Sequence, residues 1–289
     1  MTKKVCVGID GSDFSRAALM YGADEASVRS ATLKLVCVFT PMYVSGGFES
    51  LAHADAISVC ETMLEEEAII VRQKYPDMDI ETEVVIGQPV SALIEQSHDA
   101  ALLVVGARGL GPIKNVVLGS VSRRVSHGAK CPVLIVSAPE YREITGYVVG
   151  LSAHGEQAAL EFACSQADIH NKPLRGIHGR GSVEKNLLFS LRGYEADVQE
   201  QSEAVEIDVR NRWNDVVRQY PNIRAEFTTS NHHAFYSLEE NAGHSDVIVI
   251  GRNDANFSLT HGFGTVTTQL LNNMEKNNFV CIVPHGKKK

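Results

Sequence analysis

Apolar residues along this chain fall into two kinds of run. Short continuous runs predict buried strands, and longer runs with apolar positions spaced by three and four predict helices packed on one face. Lys4 to Asp10 (KVCVGID) is a short run ended by Gly11-Ser12, and Ser15 to Arg29 follows with Ala17, Ala18, Tyr21 and Val28 at helical spacing. Leu33 to Phe39 (LKLVCVF) predicts a second strand closed by Pro41, and Tyr43 to Glu49 reads as a glycine-containing loop. Ile57, Cys60, Leu64, Ala68, Val71 and Tyr75 then line one face of a long helix. Pro76 stops it, because proline has no N–H for the helical ladder. Asp79 to Ile86 (DIETEVVI) predicts a third strand, and Gly87-Gln88-Pro89 leads into a short helix that turns Val90, Leu93 and Ile94 inward.

The stretch from Leu102 to Val136 then reads as strand, glycine-rich loop, short helix from Gly119-Ser120, and a closing strand over Val133 to Val136. Strands alternating with helices predict a five-stranded parallel sheet covered by helices on both faces. After a linker at Ser137 to Thr145 the pattern starts again. Tyr147 to Leu151 (YVVGL) mirrors Val5 to Ile9, and Glu156 to Ala167 supplies a first helix. Leu174 to Ile177 is a shortened second strand, and Ser182 to Arg192 a loop. Val198, Val205, Val209, Trp213, Val216 and Tyr220 line a long helix that ends before Pro221.

Asp246 to Gly251 (DVIVIG) repeats Ala101 to Gly106 (ALLVVG), and Val280 to Val283 repeats Val133 to Val136. Gly264 falls 13 residues after Gly251, as Gly119 falls 13 after Gly106. Equal spacing with the same element order predicts a duplicated unit. The domains expected are residues 1–140 and 146–289.

Chemistry concentrates in the loop after the fourth strand. Gly106, Gly109, Gly119 and Ser120 have the spacing Gly-x2-Gly-x9-Gly-Ser at the carboxyl end of a strand, where open α/β sheets bind ligands. Glycines let a backbone aim N–H groups at an anion, and a helix start adds its positive end. A plain turn would need neither the hydroxyls of Ser120 and Ser122 nor the nearby Arg108, Lys114, Arg123 and Arg124. A phosphate site is therefore expected here.

Composition narrows the classes. A net charge of −8 argues against a general nucleic-acid binder, and Lys287-Lys288-Lys289 reads as a solvated tail. No apolar run reaches the roughly 20 residues of a membrane span and the start lacks a signal peptide, so a cytoplasmic protein without membrane partners is expected. The six cysteines show no CxxC pair. Cys6, Cys37, Cys131 and Cys281 lie in or beside strand-like runs, which predicts buried thiols rather than disulfides or metal ligands.

The segments VGIDGSDFSRAAL, IGQP, VVGARG and LGSVSRRVSHGAKCPVLIV together resemble the universal stress protein family. The first half matches over nearly its whole length, the second in layout and only partly in motif. The whole chain is similar to a tandem member of that family. The resemblance implies two flavodoxin-like, adenine-nucleotide-hydrolase-like α/β domains. In one branch of the family it also implies an adenine nucleotide, foremost ATP with or without Mg, with cyclic AMP a further adenine ligand. The implied contacts are Asp10, Val38 through its backbone, Gly106, Arg108, Gly109, Gly119, Ser120, Val121 and Ser122. Asp10 has an independent rationale, since acidic residues at the carboxyl end of a strand bind ribose in other doubly wound folds. Its plainer alternative is a cap for the following helix.

The second half departs from this set. Ser152 stands for Asp10, Asp254 for Gly109 and His232 for Gly87, and no Lys or Arg occurs between Asn253 and Met274. A structural or regulatory second domain is expected, with Thr265 and Thr267 keeping hydroxyls. His232, His233, His244 and His261 fit no metal-ligand spacing and read as surface or loop residues. Neither a Walker A sequence nor G-x-G-x-x-G after the first strand is present, and no nucleophile stands beside a general base. No catalytic residue is assigned, and at most slow ATP hydrolysis is expected. The apolar last strands suit pairing at sheet edges. In relatives that strand mediates dimers, which implies pairing of the two halves within the chain and a homodimer as a further step, or a nucleotide-independent scaffold.

Overall fold

The computed structural model describes residues 4–41, 49–109, 117–152, 157–181, 195–252, 263–274 and 279–285. Lys114, Asp254, His261, the basic tail, and most of the expected loops at Tyr43 to Glu49 and Ser182 to Arg192 lie outside them. The chain divides into two compact units, Met1–Arg142 and Glu143–Lys289.

Unit 1 contains β1 (Lys4–Gly8), α1 (Asp13–Arg29), β2 (Thr32–Phe39), α2 (Glu49–Lys74), β3 (Ile80–Ile86), α3 (Pro89–Gln96), β4 (Ala100–Gly106), α4 (Ser120–Gly128) and β5 (Val133–Val136). All pairings are parallel, in the order β3-β2-β1-β4-β5, and Val5 stands opposite both Leu33 and Leu102. Val5, Val7, Leu33, Leu35, Leu103, Val104, Val133 and Ile135 are fully buried. Continuous apolar strands are what a parallel sheet covered on both faces requires. Helices α1 and α2 pack together over one face, α3 and α4 over the other. The chain runs outward from β1 through β2 to β3, then crosses back to β4 on the other side. The order therefore reverses between β1 and β4, which opens a crevice at their carboxyl ends.

The segment after β5 is tied down on α1. The Tyr21 hydroxyl donates to the Arg142 carbonyl and accepts from the Arg142 N–H, and the Tyr21 and Tyr141 rings lie 4.9 Å apart. Asp24 accepts from the Tyr141 and Tyr75 hydroxyls and from Lys74 Nζ.

Unit 2 contains β6 (Gly146–Gly150), α5 (Gln157–Ile169), β7 (Leu174–Gly179), α6 (Glu195–Val217), β8 (Ala225–Ser230), α7 (Ala234–Asn241), β9 (Asp246–Gly251), α8 (Thr265–Asn272) and β10 (Phe279–Val283). Its strands are parallel in the order β8-β7-β6-β9-β10, the topology of unit 1. The second strand extends to Gly179, two residues beyond the run Leu174 to Ile177. β8 and α7 went unnoticed in the pattern because Ala225–Ser230 (AEFTTS) is short and mixed; Phe227 nevertheless packs on Trp213 at 5.8 Å. The parallel α/β sheet expected from the sequence is thus present in each unit.

Candidate functional site

The crevice of unit 1 is built by two loops that touch. Asp10 follows β1, and its Oδ1 accepts from the Ser12 backbone N–H at 3.0 Å and the Ser12 hydroxyl at 2.6 Å. Ser12 itself caps α1, accepting from the Ser15 N–H at 3.2 Å. The cap reading of Asp10 therefore passes to Ser12, and Asp10 holds Ser12 in place while staying exposed. The Ser12 hydroxyl also lies 3.3 Å from the Arg108 carbonyl, joining the β1 loop to the glycine loop.

Gly109 is where the loops meet. A Cβ there would lie 2.3 Å from Asp10 Oδ2, so the carboxylate is packed against the bare glycine backbone. At Gly119 the N–H donates to the Ala107 carbonyl at 2.7 Å, and the residue is the N-cap of α4 with no side-chain cap bond. The first-turn N–H groups of Ser120, Val121 and Ser122 thus receive no bond from an N-cap side chain, at the positive end of the helix. Ser120 is exposed and Val121 half-buried.

Three of the expected residues carry duties inside the fold. A Cβ on Gly106 would lie 2.8 Å from Phe14 Cβ and 2.9 Å from its backbone carbon, so this glycine lets α1 close on β4. The Ser122 hydroxyl is buried and donates to the Gly106 carbonyl at 2.6 Å. Arg108 stacks its guanidinium on the Phe14 ring, 4.5 Å from the centroid. Its Nε is nevertheless buried with no acceptor among the described residues, an unsatisfied cationic donor at the loop. Val38 lies on β2 opposite Val85, half-buried. Arg124 is exposed and Arg123 half-buried. Sequence reasoning missed Ser12 and Phe14; the signal for Ser12 was Asp-Gly-Ser before a helix, a side chain bonding two residues on.

Residues 1–137, which contain every residue of this crevice, match the model of the universal stress protein family. Unit 1 thus carries a universal stress protein family domain. One universal stress protein of Mycobacterium tuberculosis is 32% identical over 184 residues, 62% of this chain, and the match spans only 65% of that relative's length. Another from the same organism is 28% identical over 259 residues, covering 88% of this chain and 90% of its own. The crystal structure of a universal stress protein from Archaeoglobus fulgidus matches with a TM-score of 0.68 at 18% identity, over 99% of this chain and 97% of that one. That likeness concerns the fold.

The corresponding crevice in unit 2 is chemically different. Gly264 is again an N-cap without a side-chain cap bond, and α8 starts at exposed Thr265 with Thr267 buried. Arg252 occupies the position of Ala107: its N–H donates to the Val283 carbonyl at 2.8 Å, as Ala107 donates to Val136 at 2.7 Å. Arg212 of α6 donates to the Ser152 carbonyl at 2.7 Å and borders a cavity of about 130 Å³ with Leu151, Gln157, Leu160, Val209 and Val216. Arginines are therefore present, from positions that the loop comparison from Asn253 onward did not reach, with Arg212 paired to Asp208 at 3.2 Å and Asp215 lining the same cavity. His233 caps α7 and His232 pairs with Glu240 at 3.0 Å, so both have structural partners.

Proposed function

We propose that this protein binds one adenine nucleotide per chain, foremost ATP, in the unit 1 crevice. It acts through conformation or association with partners rather than turnover. The observation that carries this reading is the packing of Asp10 Oδ2 against Gly109, which brings a carboxylate and a bare glycine backbone to the uncapped start of α4. Phosphates would sit on the N–H groups of Gly109, Ser120, Val121 and Ser122, with Arg108 Nε as a charged donor. Asp10 would accept from ribose hydroxyls, and the Val38 backbone would meet the adenine edge. Gly106 and the Ser122 hydroxyl support the loop from beneath. Unit 2 would serve as a structural or regulatory partner.

Isothermal titration of the full chain with ATP, with and without Mg²⁺, is expected to give about one site, and cyclic AMP tests whether the triphosphate is required. Absence of binding at millimolar ATP, or two equal sites, overturns the reading. Association of two chains is the partner side of the same proposal. Light scattering at micromolar concentration reads it, and a strict monomer removes it.

A further inference from the structure

Successive residues of a strand face opposite sides, so β2 presents Leu33, Leu35 and Cys37 to one helix layer. Leu33 Cδ1 lies 3.5 Å from where a Cβ on Gly22 of α1 would stand, which identifies that layer as α1 with α2. On α2 the inward stripe runs through Leu64, Ala68 and Val71, each at most 1% exposed. Cys60 lies one turn before Leu64 on the same stripe. Met63 Sδ, 3.1 Å from the Cβ position of Gly11, places this turn of α2 over the carboxyl end of β1. Cys37 faces this turn of α2, with the Cys60 thiol and the Asp10 carboxylate both close enough to act on it. Cys37 is buried and Cys60 is partly exposed.

We propose that Cys37 and Cys60 are a peroxide-responsive dithiol that closes to a reversible disulfide at the wall of the Asp10 crevice. Hydrogen peroxide is the oxidant. The Cys60 thiolate attacks one peroxide oxygen, the O–O bond breaks, hydroxide leaves, and Cys60 becomes a sulfenic acid. The Cys37 sulfur then attacks Cys60, the S–S bond forms, the S–O bond breaks, and the departing hydroxide takes the Cys37 proton as water. Two thiols and one peroxide become one disulfide and two waters. A dithiol reductant reverses the step by exchange.

The division of labour follows from the surroundings. Burial first, then the nearby Cys60 thiol and Asp10 carboxylate, push the Cys37 thiol up to about 12. Cys37 therefore keeps its proton, and Cys60, which solvent reaches, reacts first. Unit 2 has no counterpart: His178 stands for Cys37, bonded to the Leu151 carbonyl at 2.9 Å, and Val205 stands for Cys60.

The test treats the reduced full chain with hydrogen peroxide, blocks free thiols and digests without reductant. Mass spectrometry is expected to find a Cys37–Cys60 peptide pair two hydrogens lighter than its reduced parts. Titratable thiols in denaturant should fall from six to four, one bond consuming two, and return with dithiothreitol. In Cys37→Ser, Cys60 should accumulate as a sulfenic acid trapped by dimedone. If that buried substitution does not fold, Cys60→Ser at the partly exposed site replaces it and should keep its five remaining thiols through the same treatment. Oxidation of Cys60 to sulfinic acid with Cys37 still free, or linkage of Cys60 between chains, overturns the proposal. The readout is sulfur chemistry alone, so it stands apart from nucleotide binding.

Discussion

The two crevices differ in an instructive way: what packing demands is present in both units, and what touches the crevice is not. Gly8 of β1 packs 3.4 Å from Leu93 and 3.6 Å from Val105, measured at its Cβ position. Gly150 of β6 packs 3.3 Å from Leu238 and 3.5 Å from Ile250, the same neighbours in the same places. The N-cap glycines Gly119 and Gly264 and the buried hydroxyls of Ser122 and Thr267 also recur. Asp10 becomes Ser152, and Cys37 becomes His178. Nine residues before Pro76 stands Glu67, paired with Arg16 at 2.8 Å; nine before Pro221 stands Arg212, bonded to the Ser152 carbonyl. A shared scaffold thus carries opposite charge at matched positions.

Exchanging residues between the units should break this contrast most sharply at Gly109. Gly109→Asp gives unit 1 the residue of unit 2, where a side chain must displace the Asp10 carboxylate and add a like charge. ATP affinity should fall by about 100-fold or more, on the order of 3 kcal/mol. Titration calorimetry reads the loss, and unchanged affinity would dissolve the distinction between the units. Asp10→Ala should cost less, about 10-fold, near the 1.4 kcal/mol of one charge-assisted hydrogen bond. Ser152→Asp in unit 2 should create no second site, as a second titration step would reveal.

Acid provides a probe of unit 2. Hydrogen bonds from Arg180 first, then Arg210 and Thr229, hold the Glu206 carboxyl at about 2, well below its ordinary value of 4.5. A depressed folded value stabilises above the unfolded value, and that share is lost as pH falls from about 4.5 to 2. Urea denaturation should therefore find Glu206→Gln less stable than the native chain at pH 7, with the gap closing toward pH 2; a gap independent of pH would refute the linkage. The smallest effect belongs to Ser12→Ala, which removes the α1 cap at a cost of about 1 kcal/mol, visible as a small drop in the urea midpoint of unit 1.

Most of the fold was legible because a parallel sheet leaves a loud signature: VCV, LVCV, LLVV and VLIV are buried on both faces and carry no alternation to decode. The mixed segment Ala225–Ser230 lacked that signature and was silent. At the crevice, glycine spacing marked the right loop but could not separate motives. Gly106 answers to Phe14, while Gly109 answers to Asp10, and both contacts arise between segments about 100 residues apart. The same holds for Cys60, whose partner on β2 no local pattern announces. The reading of Cys6, Cys37, Cys131 and Cys281 as buried thiols holds, whereas Cys60 is partly exposed.

The tie of Tyr141 and Arg142 to α1 sets a rule for dissecting the chain. A fragment ended at Val136, the last residue of β5, would strip Tyr21 of both its bonds to Arg142 and Asp24 of the Tyr141 hydroxyl. An N-terminal half prepared by proteolysis or truncation should therefore retain residues through Arg142. Severing the backbone a few residues earlier would measure a frayed helix surface rather than the binding of the half itself.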